Sequence, residues 1–138
     1  GDIDENPSSI SRKDLEGWIH KEIIEWPGHV ELNKWLNKIS VFVLPTYYGE
    51  GVPRSIQEAM AKGRAIITTK IPGCKDCVEH NVNGFLIEPQ NKEELIKIIL
   101  FFINNPKKIL SMGEMSRQIA EQRFNSEIIN SKLLNIMK

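Results

Sequence analysis

Three short apolar runs, VFVLP at 41–45, AIITT at 65–69 and FLIEP at 85–89, decide what this chain can fold into. A strand with one face in water alternates apolar with polar residues, whereas a continuous run bounded by turn signals is a strand covered on both faces. EIIEW at 22–26 reads as a further strand, stopped by Pro27 and Gly28. The segments between these runs have helical spacing: ELNKWLNKI through Leu32, Trp35, Leu36 and Ile39, and a second helix opening at Pro53 and stopping at Gly63. Parallel neighbours need crossover connections that cover the sheet, so the alternation predicts an α/β fold with a parallel sheet flanked by helices.

Either side of this block the pattern is helical. Ser11, with Asp14 three residues on, caps a helix running to about Glu22. Beyond Pro89, EELIKIILFFIN is apolar around most of its circumference and is predicted to pack deeply. Pro106 starts another helix, and a third is predicted from about Ser126, carrying Ile128, Ile129, Leu133, Leu134 and Ile136.

Eighteen basic residues balance eighteen acidic ones among 138, so no bulk field directs the chain to nucleic acid or to a membrane surface, and any anion site must be local. No apolar run approaches the length of a spanning helix, and the acidic opening GDIDENPSS is unlike a signal peptide. Cys74, Cys77 and His80 follow a C-x-x-C-x-x-H spacing that would supply three zinc ligands, but no fourth stands nearby; two reduced thiols is the plainer reading, and no metal is expected.

The chemistry concentrates in EGVPRSIQEAMAKG at 50–63. Open parallel sheets bind ligands at the carboxyl ends of their strands, and VFVLP delivers the chain to such an end. Pro53 at the first helical position needs no partner for the N–H it lacks, leaving the amides of Arg54 and Ser55 to face outward, with Gly49 and Gly51 letting backbone approach a ligand. Arg54 puts a cation where the helix dipole favours an anion. Ile56, Ala59, Met60 and Gly63 share the core side, while Arg54 and Glu58 lie together on the other. Glu58 stands roughly 7 to 8 Å along the helix from Pro53, the scale that separates a ribose from the far phosphate of a nucleoside diphosphate. Its carboxylate can accept ribose hydroxyls while the helix start holds phosphate; Glu50 lies across from it. The competing reading is a plain exposed i, i+4 ion pair of Arg54 and Glu58.

From about Val41 to Pro89 the chain resembles the C-terminal, nucleotide-sugar-binding domain of the retaining group 1 glycosyltransferases of the GT-B fold. VFVLPTYYGEGVPRSIQEAMAKGRAIIT resembles the family's strand, E-x(7)-E loop and helix; PGCKDCVEHNVNGFLIEP resembles its following loop and last strand. GDIDENPSSIS, GEGVPRS and PGC resemble the bacterial subset that builds capsule, O-antigen and other surface polysaccharides. The resemblance implies a Rossmann-like sheet and a soluble cytoplasmic enzyme, peripheral at the inner face of the membrane in its full-length form. Glu50 would contact the donor sugar as the catalytic carboxylate, Glu58 would hold the ribose, and Gly51, Val52, Pro53, Arg54 and Ser55 would face the diphosphate.

Gly73 and Cys74, at the next strand end, would border the sugar pocket, or form a plain turn. Trp26, Pro27 and Gly28 would flank the base, though such a tryptophan also suits a core; His29 is near that cleft or simply capped, the second being the plainer reading, and the loop residues Thr46, Tyr47 and Tyr48 line the acceptor side or form a solvated loop. The expected partners are a nucleotide diphosphate sugar and a saccharide or lipid-linked acceptor, with no cofactor, no metal and no nucleic acid.

The family pattern further implies that residues 1–138 are a partial C-terminal domain, lacking its first two strands and the whole N-terminal domain. Such a fragment is expected to bind donor without transferring sugar. It would either pair through exposed sheet edges with another copy or bring EIIEW beside VFVLP. The alternative from a different class is a noncatalytic Rossmann-like nucleotide- or protein-binding module in which Glu50 and Glu58 are surface decoration.

Overall fold

The computed structural model describes residues 10–49 and 51–125, which fall into two units, Gly1–Trp35 and Leu36–Lys138. In the first unit, α1 (Arg12–His20) is capped by Ser11, whose Oγ accepts from the Asp14 amide at 3.1 Å. The helix ends two residues before the predicted Glu22, and EIIEW is not a strand. The Glu22 amide bonds back to the Ile19 carbonyl at 2.9 Å and the Ile23 amide to the Trp18 carbonyl at 3.0 Å, so the backbone donors a strand would use are spent closing the helix. Glu22 turns through a positive φ of 56°. Among the described residues EIIEW therefore pairs with no strand, so the predicted pairing with VFVLP is not formed. The ELNKWLNKI helix shortens to α2 (Leu32–Leu36).

In the second unit, β1 (Val41–Leu44), β2 (Ala65–Thr69) and β3 (Gly84–Ile87) form a parallel sheet in the order β1-β2-β3. The register pairs Leu44 with Thr68 and Thr68 with Leu86. Central β2 is buried along its whole length, which is why its sequence does not alternate. Between the strands run α3 (Arg54–Ala61) and the single turn α4 (Cys74–Cys77); α5 (Lys92–Asn104) and α6 (Pro106–Arg123) follow. Ile56, Ala59 and Met60 of α3 are buried, the core side read from the sequence. Ala65, Ile67, Phe85, Ile87, Phe102 and Met112 form a core cluster, with Phe85 edge-on to Phe101 and Phe102.

Helix α5 departs from expectation, because only Phe102 is fully buried. Leu95, Ile98 and Phe101 pack against the cluster, while Ile96, Ile99, Leu100 and Ile103 line a second, exposed stripe at helical spacing. Among the described residues, the three-stranded sheet covers one side of this helix and no element covers the stripe on the other. Pro106 opens α6 as predicted; the helix predicted from Ser126 lies outside the described residues. Among the described residues no helix is long and apolar enough to cross a membrane.

Candidate functional site

Both crossovers β1–α3 and β2–α4 leave the sheet at its carboxyl end, so the starts of α3 and α4 stand on adjacent strands. Pro53 sits one position earlier than predicted, as the N-cap of α3 rather than its first residue, since its carbonyl already receives the amides of Ile56 and Gln57, each at 3.2 Å. No side chain caps the helix among the described residues, which leaves the first amides, Arg54 and Ser55, directed at the loop. Gln57 Nε2 donates to the Val52 carbonyl at 3.3 Å and secures the loop's last turn. A Cβ placed on Gly49 or Gly51 would meet nothing within 4 Å, so packing does not require glycine at either position.

Arg54 Nε donates to Glu58 Oε1 at 3.0 Å. The guanidinium side chain is 91% exposed and the carboxylate side chain 28%, so the ion-pair reading of these two residues is the arrangement the structure adopts. The pair edges a groove of about 410 Å³ between α3 and the C-terminal half of α6, whose walls include Gln57, Ala61, Arg117, Glu121 and Phe124. Arg117 Nη1 donates to the Ala61 carbonyl at 2.7 Å, tying the end of α3 to α6. Glu50 lies outside the described residues.

At the neighbouring strand end Gly73 caps α4 with φ +81°, a left-handed conformation that glycine adopts without strain. Cys74 is 1% exposed, so what this corner offers a ligand is backbone, not the thiol. Burial, with the Cys74 thiol and Asp76 beside it, pushes the Cys77 thiol up to about 12, the opposite of the lowered value a redox pair needs. His80 Nδ1 accepts from the Leu86 amide at 3.1 Å, and among the described residues no three His, Cys, Asp or Glu side chains converge as metal ligands.

Trp26, Pro27 and Gly28 belong to the first unit, where the Arg12 guanidinium lies 5.9 Å from the Trp26 ring centroid. His29 is exposed. Tyr47 and Tyr48 are exposed with rings 4.3 Å apart and hydroxyls 3.0 Å apart. Arg54, Ser55 and Glu58 thus stand on α3, and Gly73 and the Cys74 backbone at the start of α4 after the neighbouring strand, but the groove beside Arg54 and Glu58 is lined by α6 and not by Gly73 or Cys74. The buried hydroxyls of Thr68 and Thr69, which donate to the carbonyls of Leu44 and Thr46, were not among the predicted site residues; two threonines closing an apolar run were the available signal.

The chain matches the family described as "Glycosyl transferases group 1" over residues 1–105. It belongs to that family. This group 1 glycosyltransferase chain is 42% identical over 104 residues to an uncharacterized glycosyltransferase of Haemophilus influenzae, a match covering 75% of the chain and 29% of that protein. It is 30% identical over 136 residues to the N,N'-diacetylbacillosaminyl-diphospho-undecaprenol alpha-1,3-N-acetylgalactosaminyltransferase of Campylobacter jejuni, covering 99% of the chain and 35% of that protein. Among solved structures it superposes on Anabaena HepE in complex with UDP with a TM-score of 0.82 at 27% identity, covering 91% of the chain and 36% of HepE. The chain therefore spans about a third of the length of the relatives it matches. The α/β fold of parallel strands and flanking helices expected of the family is the fold observed.

Proposed function

We propose that this chain is the donor-binding part of a retaining glycosyltransferase that moves a sugar from a nucleotide diphosphate to a growing cell-surface polysaccharide or lipid-linked oligosaccharide. The observation that carries the reading is the start of α3: a helix N-terminus without a side-chain cap, at the carboxyl end of a parallel sheet, beside a cation and a carboxylate on one helix face. Donor phosphates take the amides of Gly51, Val52, Arg54 and Ser55, with Pro53 contributing no N–H, and draw the Arg54 guanidinium from Glu58. The released carboxylate then accepts the ribose hydroxyls. The backbone of Gly73 and Cys74 borders the sugar, Glu50 orients it as the catalytic carboxylate, and Trp26, Pro27 and Gly28 flank the base. Charge left on the departing diphosphate is stabilised by the helix start and Arg54, so the chemistry calls for no metal.

HepE was solved with UDP, and the Campylobacter relative is named for a diphospho-undecaprenol acceptor; both support a nucleotide donor and a lipid-linked acceptor here. Acceptor binding and transfer belong to the two thirds of the relatives' length that this chain does not match, so the chain by itself binds donor without turning it over. The same reading places the full-length enzyme in the cytoplasm, peripheral at the inner membrane face. Among the described residues β1 is an edge strand, and the apolar stripe of α5 is exposed; both support self-association of the chain.

The Arg54–Glu58 pair equally suits a noncatalytic module in which both residues are surface decoration. Calorimetric titration with UDP and GDP separates the two. Saturable binding that is lost in Glu58→Gln supports the donor site, and binding indifferent to that substitution overturns it.

A further inference from the structure

The loop that carries the donor-facing amides leaves the sheet abruptly. Strand β1 makes its last register pair at Leu44, opposite Thr68, and the next residue, Pro45, has no N–H with which to continue a ladder. Two residues beyond the strand, the Thr46 carbonyl is held instead by a side chain: Thr69 Oγ1, on a residue with no exposed surface, donates to it at 2.5 Å. Thr46 in turn accepts, through its own hydroxyl, the amide of Tyr48 at 3.4 Å. The neighbouring Thr68 is buried as completely and its hydroxyl also donates to a carbonyl, but that carbonyl belongs to Leu44, inside the strand. Adjacent threonines of one strand thus do different things: Thr68 trims the sheet, and Thr69 fixes the root of the loop.

We propose that Thr69 is a positioning residue of the donor site, its buried hydroxyl latching the Thr46 carbonyl so that the root of the loop at 46–48 is held in place before a nucleotide arrives. This inference rests on the donor-site reading above. A loop freed at its root must be ordered by the ligand, and fixing one residue's backbone opposes binding by about tenfold.

The test uses the whole 138-residue chain, UDP and GDP as probes, and melting temperature recorded beside affinity. Thr69→Val keeps the shape and removes the donor; it should bind about tenfold more weakly, while Thr69→Ser restores the parent affinity. Thr68→Val deletes an equally buried hydroxyl anchored to the strand, and should lower the melting temperature while leaving affinity within twofold of the parent. Thr69→Ala replaces Thr69→Val if the latter does not fold. If the parent binds and Thr69→Val binds as well, or if both valine variants weaken binding equally, the latch is overturned and the donor site stands. If the parent binds neither nucleotide, the donor site falls and the latch with it.

Discussion

Gly113 lies in the middle of α6, where alanine would ordinarily be the better residue by about 1 kcal/mol. Here the helix backbone runs against the turn that carries the chain from α3 into β2. A Cβ on Gly113 would fall 2.3 Å from the Gly63 carbonyl oxygen and 3.2 Å from its carbon. Van der Waals contact requires about 1 Å more. The obstacle is backbone, and it cannot rotate away as a side chain would. Gly63, at φ +66°, is itself fixed by the bond of its amide to the Met60 carbonyl at 2.8 Å and of the Arg64 amide to the Ala59 carbonyl at 3.0 Å. Overpacking of this kind costs about 1–3 kcal/mol, and an immovable neighbour puts it at the upper end, so that after the helical gain the net loss is about 2 kcal/mol. For a chain of this length that corresponds to a melting temperature about 8 °C lower. Gly17, in α1, is the control: nothing lies within 4 Å of its Cβ, so Gly17→Ala should keep the helical gain and lose nothing. Thermal melts followed by far-ultraviolet circular dichroism compare the two. A Gly113→Ala protein that melts at or above the parent temperature would refute the close-packing argument.

Arg54→Ala breaks an exposed pair and should change stability by less than about 0.5 kcal/mol in a denaturant titration, yet weaken UDP or GDP binding measurably in calorimetry. The Cys77 thiol, held at about 12 in the fold against an ordinary 9.0, contributes stability that is complete below pH 9 and declines as the unfolded chain ionises between those values; denaturant midpoints should fall across that window in the parent, and the decline should be smaller in Cys77→Ala. At pH 8 the same thiol should resist alkylation until the protein is unfolded. Val43, 39% exposed on the edge strand β1, is the place to block edge pairing: Val43→Lys should shift any dimer seen by sedimentation to monomer.

The sheet was legible because its strands are short apolar runs punctuated by Gly and Pro; burial on both faces explains the lack of alternation in β2 but not in β1, where Val43 is 39% exposed. EIIEW carries a comparable pattern, but backbone bonds to the end of α1 claim its first amides, a competition that composition does not reveal. The reading of α5 as deeply packed took its apolar circumference as a measure of burial, when two of its sides have different surroundings: Leu95 and Ile98 meet the core while Ile96 and Ile103 do not. At the candidate site, the shared face of Arg54 and Glu58 followed from helical spacing alone. Whether they pair with each other was left open, and they do. The threonine latch needed the tertiary neighbour, since nothing local joins residue 69 to residue 46.

The ion pair at the start of α3 makes that corner electrically quiet at rest. Because the pair is exposed and worth less than about 0.5 kcal/mol, either partner can be drawn away at little cost. Under the proposed donor reading, a molecule presenting an anion and a diol about one helical turn apart would engage both side chains at once, exchanging one weak pair for two contacts.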